Sequence, residues 1–458
     1  MSPSIFEDVA EVSVASAILG GGAQLVYEHG WQSGSPTGAY RLDDAPHRPA
    51  DRNRRVMCYR SDRSYEEGLW QGDGLLAVEL PDVTHVWAAA DPFAEAPTIN
   101  ARSLKGAMVV SASGPVTHSS FEAGLPSALD QWAESLVEDH VLPPVGSHRA
   151  GWCSWYCYWN EVSEQDIVDN LAAIDRHDLD VQVVQIDDGY QAEIGDWLEL
   201  SDRFSSLPEL AQRIKDTGRR AGIWTAPLLV GSHSRVARDH PDWLVQGAFA
   251  GHHWGQDLLV LDPTHPEGAE HLAHVFRTLV SWGFDYHKVD FLYGGALQGG
   301  RHADVSSIEA YRHAIEIIRY AIGPEATLLG CGAPILPSIG LFDIMRTSPD
   351  VGPCFEPRDG DMSQPSVRAA LATGRARAFM HARFWANDPD CLIVRPAVER
   401  RGEWAEHVAS SGGIVVSSDP LAQLDNESIA RIQGMLRDST TEPVSWDPNG
   451  PDQGRIIG

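Results

Sequence analysis

The stretch Phe284-Asp285-Tyr286-His287-Lys288-Val289-Asp290-Phe291 alternates apolar and polar side chains with the period of a β-strand. Lys288 and Asp290 stand two positions apart, so their side chains leave the same face of the sheet. Gly294 and Gly295 follow almost at once. Burying a lysine and an aspartate is costly unless each meets a partner. Such a strand end has two readings: an ion pair that plugs the mouth of a sheet, or a carboxylate nucleophile with a cation beside it. The pattern on either side favours the second.

From Arg149 onward, short apolar runs alternate with helical periodicity. The spacing predicts strands at 150–155, 181–187, 221–229, 286–292, 326–331, 344–348, 378–384 and 413–418. Between them it predicts helices at 163–176, 206–217, 266–282, 305–322, 366–374 and 401–410, with a last one at 426–437 and a short one near Ser338. Ser163-Glu164-Gln165-Asp166 has the form of a capping box. Eight βα units in roughly 290 residues call for a closed parallel (β/α)8 barrel, which carries its chemistry at the C-terminal ends of its strands. Those ends hold Trp152, Trp155 and Tyr156; Asp187 and Asp188; Trp224; Lys288 and Asp290; Cys331; Arg346 and Asp350; and Trp385 through Asp390. Aspartates, cations and tryptophans meeting at one mouth describe a carbohydrate site, with aromatic faces for sugar faces and carboxylates for hydroxyls.

Before the barrel, residues 10–125 are rich in Val, Thr, Ser and Gly, with alternating runs at 11–17, 75–80, 84–89 and 106–112 separated by turn signals such as Gly72-Asp73-Gly74. This predicts an antiparallel β-domain. Trp31, among the turn formers of Gly30 to Gly38, is either a packing residue or a platform over the neighbouring pocket. A connecting helix is expected at 130–140 and a boundary at Leu142-Pro143-Pro144-Val145-Gly146. The chain thus divides into residues 1–145, the barrel at 146–440 and a tail at 441–458.

The chain has 458 residues, 43% hydrophobic and 22% charged, a globular composition large enough for two domains. A net charge of −29 argues against a nucleic-acid partner. No apolar run reaches the ~18 residues of a membrane helix, and the first residues lack the basic and apolar regions of a secretory signal. The six cysteines follow neither disulfide nor zinc spacing and are expected to be free thiols, which suits the cytoplasm. No metal and no cofactor is expected.

Cleavage of a glycosidic bond needs two carboxyl groups on opposite sides of it. Asp290 and Asp350 are the best pair, closing strands two apart in the barrel. A cation beside Asp290 would keep it charged for attack. Asp350 as a proton donor calls for drier, less compensated surroundings, the alternative being a purely structural Arg346–Asp350 pair. Asp187-Asp188 suits two adjacent sugar hydroxyls, or a plain Asp-Gly turn.

Taken together, Gly151-Trp152-Cys153-Ser154-Trp155-Tyr156, Ile186-Asp187-Asp188-Gly189-Tyr190, His287-Lys288-Val289-Asp290-Phe291 and Arg346-Thr347-Ser348-Pro349-Asp350 resemble the melibiase group, the α-galactosidases of glycoside hydrolase family 36. The resemblance runs from Gly30-Trp31-Gln32-Ser33 through Asn387-Asp388-Pro389-Asp390. It implies a β-sandwich ahead of the barrel and a retaining mechanism on small α-galactosides. In that mechanism Asp290 is the nucleophile and Asp350 the acid/base. It further implies that Asp187 and Asp188 bind the galactose O4 and O6 hydroxyls, that Trp224 stacks nearby, and that Lys288 and Arg346 hold other hydroxyls. Trp152, Trp31 and Cys331 complete the expected sugar-binding set.

Two departures stand out. The segment after the fifth strand, often glycine-rich and arginine-containing in the family and close to the sugar's second carbon, reads Cys331-Gly332-Ala333-Pro334 here. It bears on the choice between galactose and N-acetylgalactosamine. Gly34 stands where relatives often carry tryptophan, which opens the leaving-group side. The C-terminal β-domain of larger relatives is expected to be absent or vestigial. Relatives are often oligomers, so a homo-oligomer is an open expectation, with Trp70 and Trp87 suited to an interface or a core. The competing functions are a transgalactosylase resembling raffinose synthases, an α-N-acetylgalactosaminidase, a silent sugar-binding barrel and a metal-dependent barrel enzyme.

Overall fold

A computed structural model of the chain describes residues 25–438 apart from 45, 47, 49–50, 64, 66–67, 105–106 and 147–149, together with 4–6, 12–13 and 446–449. The expected strand at 11–17 lies within the described residues only as Val12–Ser13, and most of the tail at 441–458 lies outside them.

Eight parallel strands form the barrel: β1 Gly151–Cys153, β2 Val183–Ile186, β3 Arg220–Thr225, β4 Tyr286–Val289, β5 Thr327–Gly330, β6 Ile344–Arg346, β7 Ala386–Asp388 and β8 Val416–Ser417. They pair in chain order from β1 to β7, with β8 beside β1. Between β7 and β8 the Ile414 N–H donates to the Asn387 carbonyl at 3.0 Å. That seam requires glycine at 413, because a Cβ there would lie 1.7 Å from the Asn387 oxygen.

The helices lie close to their expected places: α1 Glu164–Arg176, α2 Leu207–Asp216, α3 Pro266–Ser281, α4 Ser307–Ile322, α5 Val367–Ala376, α6 Arg401–Ser410 and α7 Asn426–Asp438. Ser163 with Asp166, and Ser306 with Glu309, close reciprocal capping boxes that satisfy otherwise orphaned N–H groups. Two expectations are corrected. The helix near Ser338 is one 3-10 turn, Leu336–Ser338. The seventh strand is not 378–384, which opens with the 3-10 turn Ala378–Met380, but the short polar segment Ala386–Asp388 that follows.

Ahead of the barrel lie a six-stranded and a four-stranded antiparallel sheet. Val26, Tyr40, Trp70, Leu76, Val78, Trp87, Ile99 and Val110 pack together in one core. Trp70 and Trp87 are therefore core residues, not an exposed interface. The alternate residues Leu25, Tyr27, Leu75, Ala77, Val86 and Ala88 belong to the core that continues through the helix Leu125–His140 into the barrel. Strands buried on both faces lose the apolar–polar alternation. Leu25–Glu28 and Gly38–Arg41 escaped the periodicity, while Thr84–Ala89, equally buried, was marked by the turn signal Leu80-Pro81-Asp82 ahead of it. Gly72-Asp73-Gly74 is less of a turn than expected: Trp70–Asp73 is a strand, and Gly74, at φ 77°, alone carries the chain into the other sheet.

Candidate active site

The C-terminal ends of the barrel strands open into one cavity of about 870 Å³. Asp187, Asp188, Trp224, Lys288, Asp290, Cys331 and Asp350 all line it. Its outer walls include Gln32, Ser33 and Gly34 from the N-terminal region, and the helix Arg52–Cys58 through Asn53, Arg54 and Met57.

Alternation along β4 sorts its side chains. His287 faces outward, its ring 5.7 Å from that of Phe276 on α3, while Lys288 points into the barrel. The Lys288 Nζ lies 2.9 Å from Asp187 Oδ2. Burial works against the lysine charge, but Asp187, Cys153 and Asp290 together outweigh it and hold the ammonium well above its ordinary range. Gln185 Nε2 (2.6 Å) and Cys153 Sγ (3.3 Å) also donate to Asp187 Oδ2, and the Asp188 N–H donates to Oδ1 at 3.0 Å. The sequence placed a cation beside Asp290; the ion-paired partner of Lys288 is instead Asp187.

Asp188 accepts from Gln191 Nε2 at 2.5 Å and from the Trp254 indole at 2.8 Å. Burial pushes its carboxyl up to about 6.

Asp290, just beyond β4, accepts from the Trp224 indole at 3.1 Å on one oxygen and from the Phe291 N–H at 2.6 Å on the other. Two N–H donors thus fix the plane of the carboxylate. Phe291 holds φ 52° and ψ 33°, a left-handed conformation that costs a bulky residue about 1–2 kcal/mol. The segment after β5 braces it: Gly332, at φ 55°, packs so closely that a Cβ would lie 3.0 Å from the Phe291 backbone and 3.2 Å from Asp290 Oδ1.

Arg346 closes β6 with its side chain 3% exposed and gathers three carboxylates. Its Nη1 meets Asp350 Oδ1 at 3.1 Å, Nε meets Asp388 Oδ2 at 3.1 Å and Nη2 meets Asp390 Oδ1 at 2.8 Å. Tyr156 donates to the second oxygen of Asp390 at 2.5 Å, as does the Val351 N–H at 2.7 Å. The Asp350 carboxyl is pushed up to about 7, first by burial and then by Asp390 and Asp290, against the opposing pull of Arg346 and Lys288. Its side chain is 44% exposed, but to a deep cavity rather than to open solvent, so protein surrounds it on most sides. Two carboxyl groups with such different surroundings can act as nucleophile and proton donor on one substrate.

Not every expected residue reaches the cavity. Trp152 is buried beneath it, its indole donating to the Asp419 carbonyl at 3.0 Å. Trp31 packs with Ala96 and Ile308 and carries the Arg60 guanidinium 4.6 Å above its ring, while its neighbours Gln32 to Gly34 line the cavity. Trp224 is 1% exposed and acts more as a holder of Asp290 than as an open face. Cys331 is buried in the wall, and the six cysteines are free.

Several contributors escaped the sequence. Trp254 comes from a hairpin between His252–His253 and Gln256–Val260, its place hinted by an aromatic between Gly251 and Gly255. Trp159 stands at the cavity rim beside the expected Trp155. Arg377, fully buried, donates to the carbonyls of Gly30, Gln32, Ser33, Ser35 and Thr347 at 3.0–3.4 Å, and so seats the loop that walls the cavity. Burial without an acidic partner pulls its guanidinium down to about 10. Among the described residues, no group of three or more His, Cys, Asp or Glu is arranged to hold a metal ion, and no helix is long and apolar enough to cross a membrane.

The melibiase family model matches residues 150–316. The α-galactosidase TtGalA of Thermus thermophilus, solved with p-nitrophenyl α-D-galactopyranoside, superposes with a TM-score of 0.78 at 30% identity, over 91% of this chain and 86% of its own. The α-galactosidase AgaA of Geobacillus stearothermophilus is 25% identical over 153 residues, 30% of this chain. That alignment spans about a fifth of AgaA, 21% of its length. The AgaA crystal structure, at 13% identity and a TM-score of 0.64 over 90% of this chain and 60% of its own, shares the fold. The agreement with TtGalA over most of both chains, with the melibiase segment inside it, makes this chain a member of the melibiase-type α-galactosidases of glycoside hydrolase family 36.

Proposed function

We propose that the protein hydrolyses terminal α-galactosides of small oligosaccharides by double displacement with retention. The observation that carries this reading is the contrast between Asp290 and Asp350 across one cavity. Asp290 accepts two N–H donors, whereas Asp350 holds its proton up to about 7. The Asp290 carboxylate attacks the anomeric carbon while Asp350 gives its proton to the departing glycosidic oxygen. Asp350, now charged, takes a proton from water, and the resulting hydroxide equivalent displaces Asp290 from the same carbon. Asp187 and Asp188, with Lys288, orient the galactosyl hydroxyls.

Replacing Asp290 by Gly is expected to lower turnover of p-nitrophenyl α-galactoside by about 10⁴-fold or more. Azide should then restore activity and yield β-galactosyl azide. Undiminished turnover in that variant, or β-galactose as the first product of the wild type, overturns the mechanism. A panel of α-galactoside, α-N-acetylgalactosaminide, α-glucoside and β-L-arabinopyranoside aryl substrates tests the sugar. Product analysis at high sugar concentration separates hydrolysis from galactosyl transfer.

A further inference from the structure

Trp159 has no part in the mechanism above, yet the fold takes trouble to hold it. It lines the cavity rim beside Trp155 and Asn160, and 44% of it is exposed, unusual for so large an apolar residue. Its φ of 53° with ψ of −144° borders a region that glycine alone visits freely. The indole packs edge-on against Trp155 (centroids 5.0 Å apart) and Tyr156 (5.4 Å). Arg203 secures the following residues, donating to the carbonyls of Asn160 at 2.5 Å, Val162 at 3.1 Å and Gly189 at 3.0 Å. Gly189 lies so close that a Cβ on it would sit 2.6 Å from the Asn160 oxygen. The strained turn is therefore tied to the loop that carries Asp187 and Asp188.

Its position has a direction. Tyr156, against which the indole packs, hydrogen bonds to Asp390, and Asp390 shares Arg346 with Asp350. If Asp350 protonates the glycosidic oxygen, the group leaving with that oxygen must depart on the Asp350 side of the cavity. An exposed indole there offers a flat face to the C–H surface of a sugar ring. Resting on the function proposed above, we propose that Trp159 is the platform for the first pyranose ring of the leaving group, held in its strained conformation by Arg203 and the close contact of Asn160 with Gly189.

The test compares melibiose, whose leaving group is a glucose ring, with α-galactosyl fluoride, which has no ring to stack. In W159A, kcat/KM on melibiose should fall at least about tenfold, while α-galactosyl fluoride hydrolysis and inhibition by free galactose stay within about twofold of wild type. W159Y should recover most of the melibiose activity. W159G suits the backbone and should match W159A on melibiose with a thermal midpoint above that of W159A. Parallel losses on both substrates would reduce Trp159 to a structural role, and unchanged melibiose kinetics would remove the platform; either result overturns the inference with the hydrolase reading intact. Wild-type protein that cleaves neither substrate would sink the hydrolase reading, and the platform with it.

Discussion

The two buried cations of the site answer to different amounts of negative charge. Lys288 has one carboxylate within ion-pair distance, Asp187 at 2.9 Å, and Arg346 has three, Asp350, Asp388 and Asp390. Around Lys288 the charges cancel and the remaining lone pairs of Asp187 are filled by neutral donors. Around Arg346 a single positive charge is shared, and an excess of negative charge remains among groups of which only Asp350 reaches the cavity. Asp350 therefore keeps its proton to about 7 although a guanidinium lies 3.1 Å away. Proton affinity here follows the local count of charges and their desolvation more than the distance to the nearest cation. A cation precedes both Asp290 and Asp350 on its strand; the fold gives those two cations different work.

That contrast can be attacked from its stronger side first. Arg346→Met strands three carboxylates, and we expect a loss of ~3–5 kcal/mol in stability, measured by urea unfolding. The same variant should lose about 10³-fold in kcat/KM. Lys288→Met leaves Asp187 with Gln185, Cys153 and the Asp188 amide as donors. Its effect should be smaller, ~2–3 kcal/mol, and appear mainly as a raised KM. Equal damage from the two changes would break the comparison.

A finer probe is Asp390→Asn. In the mechanism proposed above Asp350 acts while protonated, so kcat/KM should decline as pH rises through about 7. Removing the negative neighbour lowers the proton affinity of Asp350 and frees Arg346 to pull further, so the alkaline limb should move to lower pH by about one unit. An unmoved limb would mean that Asp390 does not tune the acid. The smallest effect is expected from Gly332→Ala, where a left-handed backbone and contact with Phe291 together impose ~1–2 kcal/mol of strain. It should cost about tenfold in kcat through a displaced Asp290, with little change in KM.

Much of this was legible in the sequence, for identifiable reasons. Strand ends rich in Asp, Lys, Arg and Trp advertise the barrel mouth, because such residues seldom close an apolar strand without a task. The seventh strand was misplaced because Ala378 to Phe384 is mostly apolar, broken only by His381 and Arg383, while the true strand, Ala-Asn-Asp, carries almost no hydrophobic signal. Trp152 was drawn into the site because an aromatic near a strand end looks the same whether it faces a cavity or the layer beneath, and Trp31 because an aromatic among turn formers reads equally as a packing residue or a platform. Asp388 and Asp390 were visible as residues, yet their influence on Asp350 depends on sharing Arg346, which only the fold reveals. Arg377 left no trace, since its partners are main-chain carbonyls and any residue supplies one.

That arginine ties function to the order of synthesis. Arg377 and the Gly30 carbonyl it holds are separated by 347 positions in the chain. The loop from Gly30 to Ser35 is made early and must wait for most of the barrel before its anchor exists. A contact of such long range forms slowly and late. The cavity wall from Gln32 to Gly34 therefore gains its anchor only once the chain has been made as far as Arg377.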